Sequence, residues 1–412
     1  MSLIKAFRGL RPAPDSAADV AAPPYDVMSA EEARTMVEGR PWSFLHVSRA
    51  EVDLPQGTDP YAPEVYARAA ENLQRMKAEG VLVQDSLPSF YVYRLTMGGH
   101  RQTGLVAAAS VDAYDQGRIK KHEFTRPMKE DDRVRQIDVL GAQTGPVFLV
   151  YKSEAEVDQI LADTTTTAPL ADVTGDDGVR HEVWMIDDNE RVARLNALFD
   201  AMPALYVADG HHRSAAASRV TAERKAANPE HNGEEAYNYF LSVIFPHNQM
   251  QILDYNRVVK DLNGYERSAF IDAVAGRFEL TASDQPVKPS GVAEFGMYLA
   301  DQWYRLRLDP KKVPADDPVA SLDISLLTAE LIDPVLGISD PRRDNRIDFI
   351  GGIRGLAGLE KRVDSGEMAV AFSLYPTSME SLMAVADDDQ VMPPKSTWFE
   401  PKLADGLVSH EL

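Results

Sequence analysis

Apolar residues fall into two rhythms along this chain. Short, nearly unbroken apolar runs occur at 90–95, 102–110, 147–151, 183–186, 205–207 and 239–245, and each predicts a strand. Gly98-Gly99 between the first two predicts a hairpin. Helical spacing is clearest at 63–80, where Val65, Leu73 and Met76 lie near one face between Pro63 and Gly80. Val192, Leu195 and Leu198 repeat that spacing over 189–199. Segments 31–37, 265–278 and 323–332 predict further helices, 295–299 with 303–308 a second hairpin, and 369–374 a buried strand. Residues 183–219 thus read strand, helix, strand, turn, helix. The predicted class is α/β with α+β character, mixed sheets carrying flanking helices. No long linker interrupts the pattern, so soft boundaries divide it into 1–150, 151–285 and 286–412.

Composition narrows the partners. The 412 residues are 44% hydrophobic and 26% charged, the balance of a soluble globular chain. No apolar run approaches a membrane span, and MSLIKAFRGLRP lacks an apolar signal core. A cytoplasmic protein without membrane partners is expected. Cysteine is absent, which excludes disulfides, thiolate nucleophiles and cysteine-ligated metals. The net charge of −21 opposes nucleic-acid binding and leaves small anions as the better match for short basic clusters.

The most informative cluster is Asp209-Gly210-His211-His212-Arg213, between the strand at 205–207 and an alanine-rich stretch expected to be helical from Ser214 to about Lys225. Cation-capable side chains gather where free backbone N–H groups and the helix dipole already favour an anion. A tight turn with one interior histidine is the plainer account, but the full pentad at a helix start favours a phosphate or carboxylate site. Neither GxxxxGK[ST] nor GxGxxG occurs. His211 and His212 lack the spacing that would put both on one helix face, so no protein-bound zinc is expected.

Three further clusters carry anion-binding or proton-transfer types. At 122–133, His122 and Glu123 are proton-transfer types, and Thr125, Arg126, Lys129 and Arg133 suit phosphate. This cluster is expected at a sheet edge or in a loop stiffened by Pro127. At 392–402, Lys395-Ser396-Thr397 is a donor-rich triplet after two prolines. Near the N-terminus, Arg8 and Arg11 flank a glycine, and Asp26 ends the rigid stretch Ala22-Pro23-Pro24-Tyr25-Asp26. A single phosphate cage would bring the clusters at 122–133, 209–213 and 392–402 together.

RGLRP at 8–12, AAPPYDVMS at 21–29, HEFTRPMKEDDR at 122–133, ADGHHR at 208–213 and MPPKSTWFEPKL at 392–403 stand in one order, and over essentially its full length the chain resembles the domain-of-unknown-function 1015 family. That family name carries no activity. The segment around 180–225 is also similar to the ParB/sulfiredoxin superfamily, and DGHHR resembles its free-serine kinases. The resemblance implies a turn and helix that bind nucleotide phosphates, and an upstream glutamate that activates a hydroxyl; Glu123 and Glu182 are both open for that role. Sulfiredoxin chemistry has no cysteine to use here.

Together these readings predict phosphoryl transfer on a small hydroxylated metabolite, with serine or phosphoserine named by the resemblance and the direction open. Asp209, Glu123 and His122 are the expected catalytic group, with Asp209 orienting the turn or a metal ion. Gly210, His211, His212, Arg213, Arg126, Lys129, Arg133, Lys395, Ser396, Thr397, Arg11 and Asp26 are the expected anion and substrate contacts. Mg²⁺ would arrive with a nucleotide or pyrophosphate. The other reading is a nucleotide-binding switch of ParB type that transfers nothing.

Overall fold

The computed structural model describes residues 2–412. They form two compact units, 2–250 with Pro401–Leu412, and Gln251–Glu400. Neither break coincides with the boundaries expected at 150/151 and 285/286. The first of those falls inside the strand Val147–Tyr151, the second between two strands of one sheet. Return of the last twelve residues to the first unit is a long-range contact that no local composition marks.

The fold is mixed α/β, with thirteen α-helices among the described residues. The first unit is built on a nine-stranded mixed sheet. Its order is Ile119–Lys120, Leu205–Asp209, Val147–Tyr151, Tyr239–Pro246, His100–Ser110, Phe90–Met97, Arg180–Ile186 and Ala171–Thr174, with Ile4–Lys5 paired to His100–Ser110 off that path. Two neighbouring pairs are parallel, 119–120 with 205–206 and 147–151 with 242–246. Val147–Tyr151 and Tyr239–Pro246 are buried at every position, as strands covered on both faces must be. The first hairpin forms as its glycines predict, Met97 opposite His100. A four-stranded sheet, Leu82–Gln84, Gly9–Pro12, Ser409–Glu411 and Ala142–Gln143, ties both chain ends into this unit.

The second unit holds a six-stranded antiparallel sheet, in the order Glu279–Ser283, Gln302–Arg307, Glu294–Leu299, Val370–Ser373, Tyr255–Val259 and Ile347–Gly351. Gln251–Leu253 pairs with Trp398–Glu400 beside it. Among the described residues no helix is long and apolar enough to cross a membrane.

Two helices of the first unit position the candidate site. Pro127–Leu140 starts with proline at its first turn and stops at Gly141, whose φ of 61° is left-handed. His211–Ala227 follows directly from Gly210. Val134 and Ile137 on the first helix pack against Ala216 and Val220 on the second. Small alanines let the two backbones approach. Ile137→Ala removes a buried anchor of this pair. Urea unfolding of the purified chain should show a loss of about 2–3 kcal/mol, in the lower part of the usual range for such truncations; an unchanged midpoint would mean that the helix pair does not depend on it.

Candidate functional site

The DGHHR pentad is a strand end, a turn and a helix start. Asp209 closes the strand Leu205–Asp209, Gly210 caps the helix with φ of 96°, and His211, His212 and Arg213 make its first turn. The helix therefore starts three residues earlier than its alanine content indicated. Glycine is required at 210: a Cβ there would sit 3.1 Å from Arg213 Nε and 3.3 Å from Val147 Cα. The amides of Arg213 and Ser214 donate to the Gly210 carbonyl, at 2.9 and 3.0 Å. Those of His211 and His212 have no acceptor among the described residues, which leaves two donors at the helix start.

Asp209 braces this turn. One carboxylate oxygen accepts from the Gly210 amide at 2.8 Å and the other pairs with Lys402 Nζ at 3.1 Å. Burial works against its charge, but Lys402 and Arg213 hold the carboxyl well below the usual carboxylate range. With both oxygens engaged, Asp209 orients the turn.

Burial pushes the two DGHHR histidines and His122 toward the neutral form. His122 and His211 are buried and meet edge to face, centroids 4.5 Å apart. Burial pushes His122 down to about 4, against a hydrogen bond to the Val207 backbone. Burial, then His122, push His211 well down too. His211 Nε2 accepts from the His122 amide at 3.5 Å, which leaves Nδ1–H toward Glu123, whose Oε2 is 3.8 Å away. Glu123 is half exposed, at 47%. His212 Nε2 accepts from the Arg126 amide at 3.0 Å. Burial, Arg126 and Lys129 all lower its proton affinity.

The cluster at 122–133 is mostly not the loop or sheet edge expected. Residues 121–126 are irregular, and Pro127 to Arg133 form the first turns of a helix. The proline that stiffens a loop equally well starts a helix, and the apolar positions that show helical spacing, Val134 and Ile137, lie beyond the cluster. Arg126 and Lys129 make no ion pair among the described residues; Lys129 Nζ rests 5.7 Å from the Tyr61 ring centre. Thr125 donates to Glu130 at 2.8 Å, and Arg219 pairs with Glu130 and Asp131. Arg133 is engaged by Asp132 at 2.7 Å and stacks 3.9 Å from the Tyr25 ring centre.

The loop ending in Asp26 joins these elements. Asp26 acts electrostatically on His212, Arg213, Arg133, Tyr25 and Asp405. A cleft of about 250 Å³ opens here, lined by Tyr25, Asp26, Glu51, Tyr61, Lys129 and Arg133 among others. A water-sized cavity of about 30 Å³, between Tyr25, Arg133, Gly145, Arg213 and Asp405, shares walls with it. Arg213 crosses Gly145, donates to the Pro146 carbonyl and is held protonated against burial by Asp209, Asp26, Tyr25 and Asp405.

Several expected residues lie elsewhere or are already engaged. Arg11 pairs with Asp85 through Nε and Nη2, at 3.0 and 2.8 Å, and Tyr91 donates to the same carboxylate at 2.6 Å. That pairing accounts for Arg11 without a ligand. Lys395, Ser396 and Thr397 belong to the second unit, where Ser396 Oγ donates to the Pro393 carbonyl at 2.6 Å and the Lys395 carbonyl accepts from Arg257 at 2.9 Å. Glu182 is buried and pairs with Arg180 at 3.1 Å, five strands along the sheet from Leu205–Asp209. Of the two glutamates, Glu123 is the one beside the DGHHR turn, 3.8 Å from His211 Nδ1.

Asp405 was missed. It is a lone carboxylate in an apolar tail, Leu403-Ala404-Asp405-Gly406-Leu407-Val408, and only that contrast could have marked it. One of its oxygens is buried without a hydrogen-bond partner. Burial pushes its carboxyl up to about 7, although Arg213 pulls it down. Tyr66, which donates to Asp132 at 2.8 Å, and the Arg49–Glu51 pair at 2.6 Å were also unmarked.

Among known proteins, the family model described as "Protein of unknown function (DUF1015)" matches residues 4–325. The match stops before 392–403, which the resemblance had included. No curated protein matches the chain. Solved structures similar to it include a conserved hypothetical protein from Pyrococcus furiosus, at 12% identity, covering 73% of this chain and 94% of that one with a TM-score of 0.33. A free serine kinase in complex with AMP gives 12%, 74%, 92% and 0.33. SbnI with C-terminal truncation from Staphylococcus aureus gives 11%, 72%, 84% and 0.35.

The buried carboxyl of Asp405 has a pH signature. Its folded value lies above the unfolded one, so the folded state binds more protons. Its stabilising contribution is complete below about 4 and is lost as pH rises to about 7. His122 runs the other way: lowered to about 4, it contributes above about 6.5 and loses that contribution as pH falls. Asp405→Asn should therefore raise the thermal midpoint at pH 7, with the gain shrinking toward pH 4. A gain that is the same at both pH values would show that Asp405 does not titrate in this window.

Proposed function

The chain belongs to the DUF1015 family, and from the site in its first unit we propose that it is an enzyme of phosphoryl transfer on a small hydroxylated metabolite. The observation that carries this reading is the meeting of three things at one helix start. Two amides, of His211 and His212, have no acceptor among the described residues; Arg126 and Lys129 make no ion pair; and a carboxylate, Glu123, stands half exposed beside His211. The first two suit phosphate oxygens, and the third suits a hydroxyl proton.

In this scheme the phosphates lie against the helix start and the side chains of Arg126 and Lys129. The acceptor hydroxyl attacks phosphorus, its proton passes to Glu123, and the bond from phosphorus to the leaving oxygen breaks. His211 orients Glu123 through Nδ1–H. Asp209 and Lys402 fix the turn, and Arg213 serves the fold of the site by neutralising the carboxylates around it. The DGHHR resemblance names serine and phosphoserine as the first metabolites to try. No group of three or more His, Asp or Glu side chains is gathered as a metal site among the described residues. Glu51 and Asp132 already pair with Arg49 and Arg133. A resident Mg²⁺ does not fit these residues; one that arrives on a nucleotide or pyrophosphate is carried by the phosphates.

Two variants test the assignment, with product followed by phosphorus NMR in mixtures of nucleotide or pyrophosphate with serine and other hydroxylated acceptors. Replacing Arg126 and Lys129 by Ala should weaken phosphate-donor binding by roughly 1.5–3 kcal/mol, the worth of hydrogen bonds to a charged group. Glu123→Gln should leave that binding in place and cut transfer by roughly 10²–10⁴. Donor binding without transfer to any acceptor in the wild type would favour the nucleotide switch. Undiminished transfer in Glu123→Gln would remove Glu123 from the mechanism.

A further inference from the structure

The second unit contains a cavity of its own, about 320 Å³ in volume, within the span of roughly 300–1,000 Å³ typical of small-molecule pockets. Most of its wall is apolar, with Ile324, Leu327, Ile332, Ile347 and Phe349 contributing. Pro393 and Pro394 of the MPPKST segment close another side.

Into this wall comes Arg257, from the middle of the strand Tyr255–Val259, only 3% exposed. Its guanidinium donates to the Tyr255 carbonyl, to the Lys395 carbonyl at 2.9 Å and to the Pro394 carbonyl at 3.4 Å. The Phe349 and Tyr255 rings lie 4.8 and 5.8 Å from its central carbon. Every one of these partners is neutral. No carboxylate pairs with Arg257 among the described residues, although Asp333 also contributes to the lining. Burial pushes the guanidinium down to about 9. A full charge in such surroundings is costly unless a counter-charge joins it.

A second polar group in the same wall is unused. Ser325 Oγ is buried and has no hydrogen-bond partner. Anchoring the 393–395 turn explains the carbonyl contacts of Arg257. It explains neither the need for a cation where a neutral donor would serve, nor the idle hydroxyl, nor the cavity between them.

We infer that this cavity binds a small amphipathic monocarboxylate, its head on Arg257 and Ser325 and its apolar body against Ile324, Leu327, Ile332 and Phe349. One positive charge and one hydroxyl match a singly charged head. A phosphate dianion gathers more donors, as at the helix start of the first unit. The MPPKST segment then acts as a wall of this pocket, which gives it a role that does not require it to meet DGHHR.

The test is isothermal titration of the full chain with the straight-chain carboxylates from butanoate to octanoate and with 3-phenylpropanoate, beside the alcohols of equal length. At least one carboxylate should bind saturably at one site, and its alcohol should bind roughly 10–100-fold more weakly, the worth of a charge-assisted contact. Arg257→Met should lose the same factor. Should that variant fail to fold, Ser325→Leu decides: it breaks no hydrogen bond, fills the cavity and should abolish binding while the circular dichroism spectrum is kept. Glu123→Gln should bind the carboxylate as the wild type does, which separates this site from the proposed transfer site. Absence of binding by every carboxylate at millimolar concentration, equal binding of the matched alcohols, or undiminished binding in Ser325→Leu would each overturn the inference.

Discussion

A half-buried carboxylate is held charged by the cations beside it, and Asp209 has two, Lys402 and Arg213. This arrangement fixes more than one ion pair. The Gly210 amide and Lys402 take the two oxygens of Asp209, so the turn into the helix has one orientation. That orientation aims the amides of His211 and His212, and sets Arg213 across Gly145 toward Asp405. Lys402 and Asp405 both come from the last twelve residues, which return to the first unit after the whole of the second has been made. The turn at 209–210 therefore reaches its final charge state only when the end of the chain is in place.

The same low-dielectric setting redistributes the positive charge. Three adjacent basic types in the sequence read as one cationic patch. In the fold, burial keeps His211 and lowers His212 toward neutrality, and the charge of Arg213 is spent on the carboxylates around it. Among the described residues, the donors left at the helix start are the backbone amides of His211 and His212, and the cations without an ion pair nearby, Arg126 and Lys129, come from a different segment. The histidines are instead held by backbone, His211 by the His122 amide and His212 by the Arg126 amide, with Glu123 Oε2 3.8 Å from His211 Nδ1. A neutral imidazole accepts at one ring nitrogen and donates at the other, as His211 does when Nε2 takes the His122 amide; Nδ1 of His122 is buried without a partner among the described residues.

Legibility of this site in the sequence followed the range of the interactions. Strands such as Val147–Tyr151 and helices such as Asn189–Ala201 were readable because apolar spacing is a local property. So was the strand–turn–helix around Gly210, where one residue type supplies the positive φ. The helix Pro127–Leu140 was missed because its amphipathic stripe begins only after the charged cluster that drew notice. Arg11 looked available because Asp85, its partner, is 74 residues away. Asp405 carries no motif, and its role exists only through residues brought to it by the fold. The triplet Lys395-Ser396-Thr397 was judged by side-chain chemistry, yet its ordered work is done by backbone: Lys395 has φ of 58° and offers its carbonyl to Arg257.

The overall charge of −21 acts on a different length scale from the site. At physiological salt, exposed charges more than about 8 Å away are largely screened. A phosphate group in the site proposed above is smaller than that distance, so it would experience chiefly the nearest amides, Arg126 and Lys129. A long polyanion extends past it on every side and meets the acidic surface. A strongly acidic chain can therefore hold a compact anion-binding site, provided its cations are concentrated at one helix start and its buried carboxylates are matched by cations of their own. Asp209 with Arg213 and Lys402 meets the second condition where buried Asp405 does not, and in the proposed site the first is met where the Pro127–Leu140 and His211–Ala227 helices start.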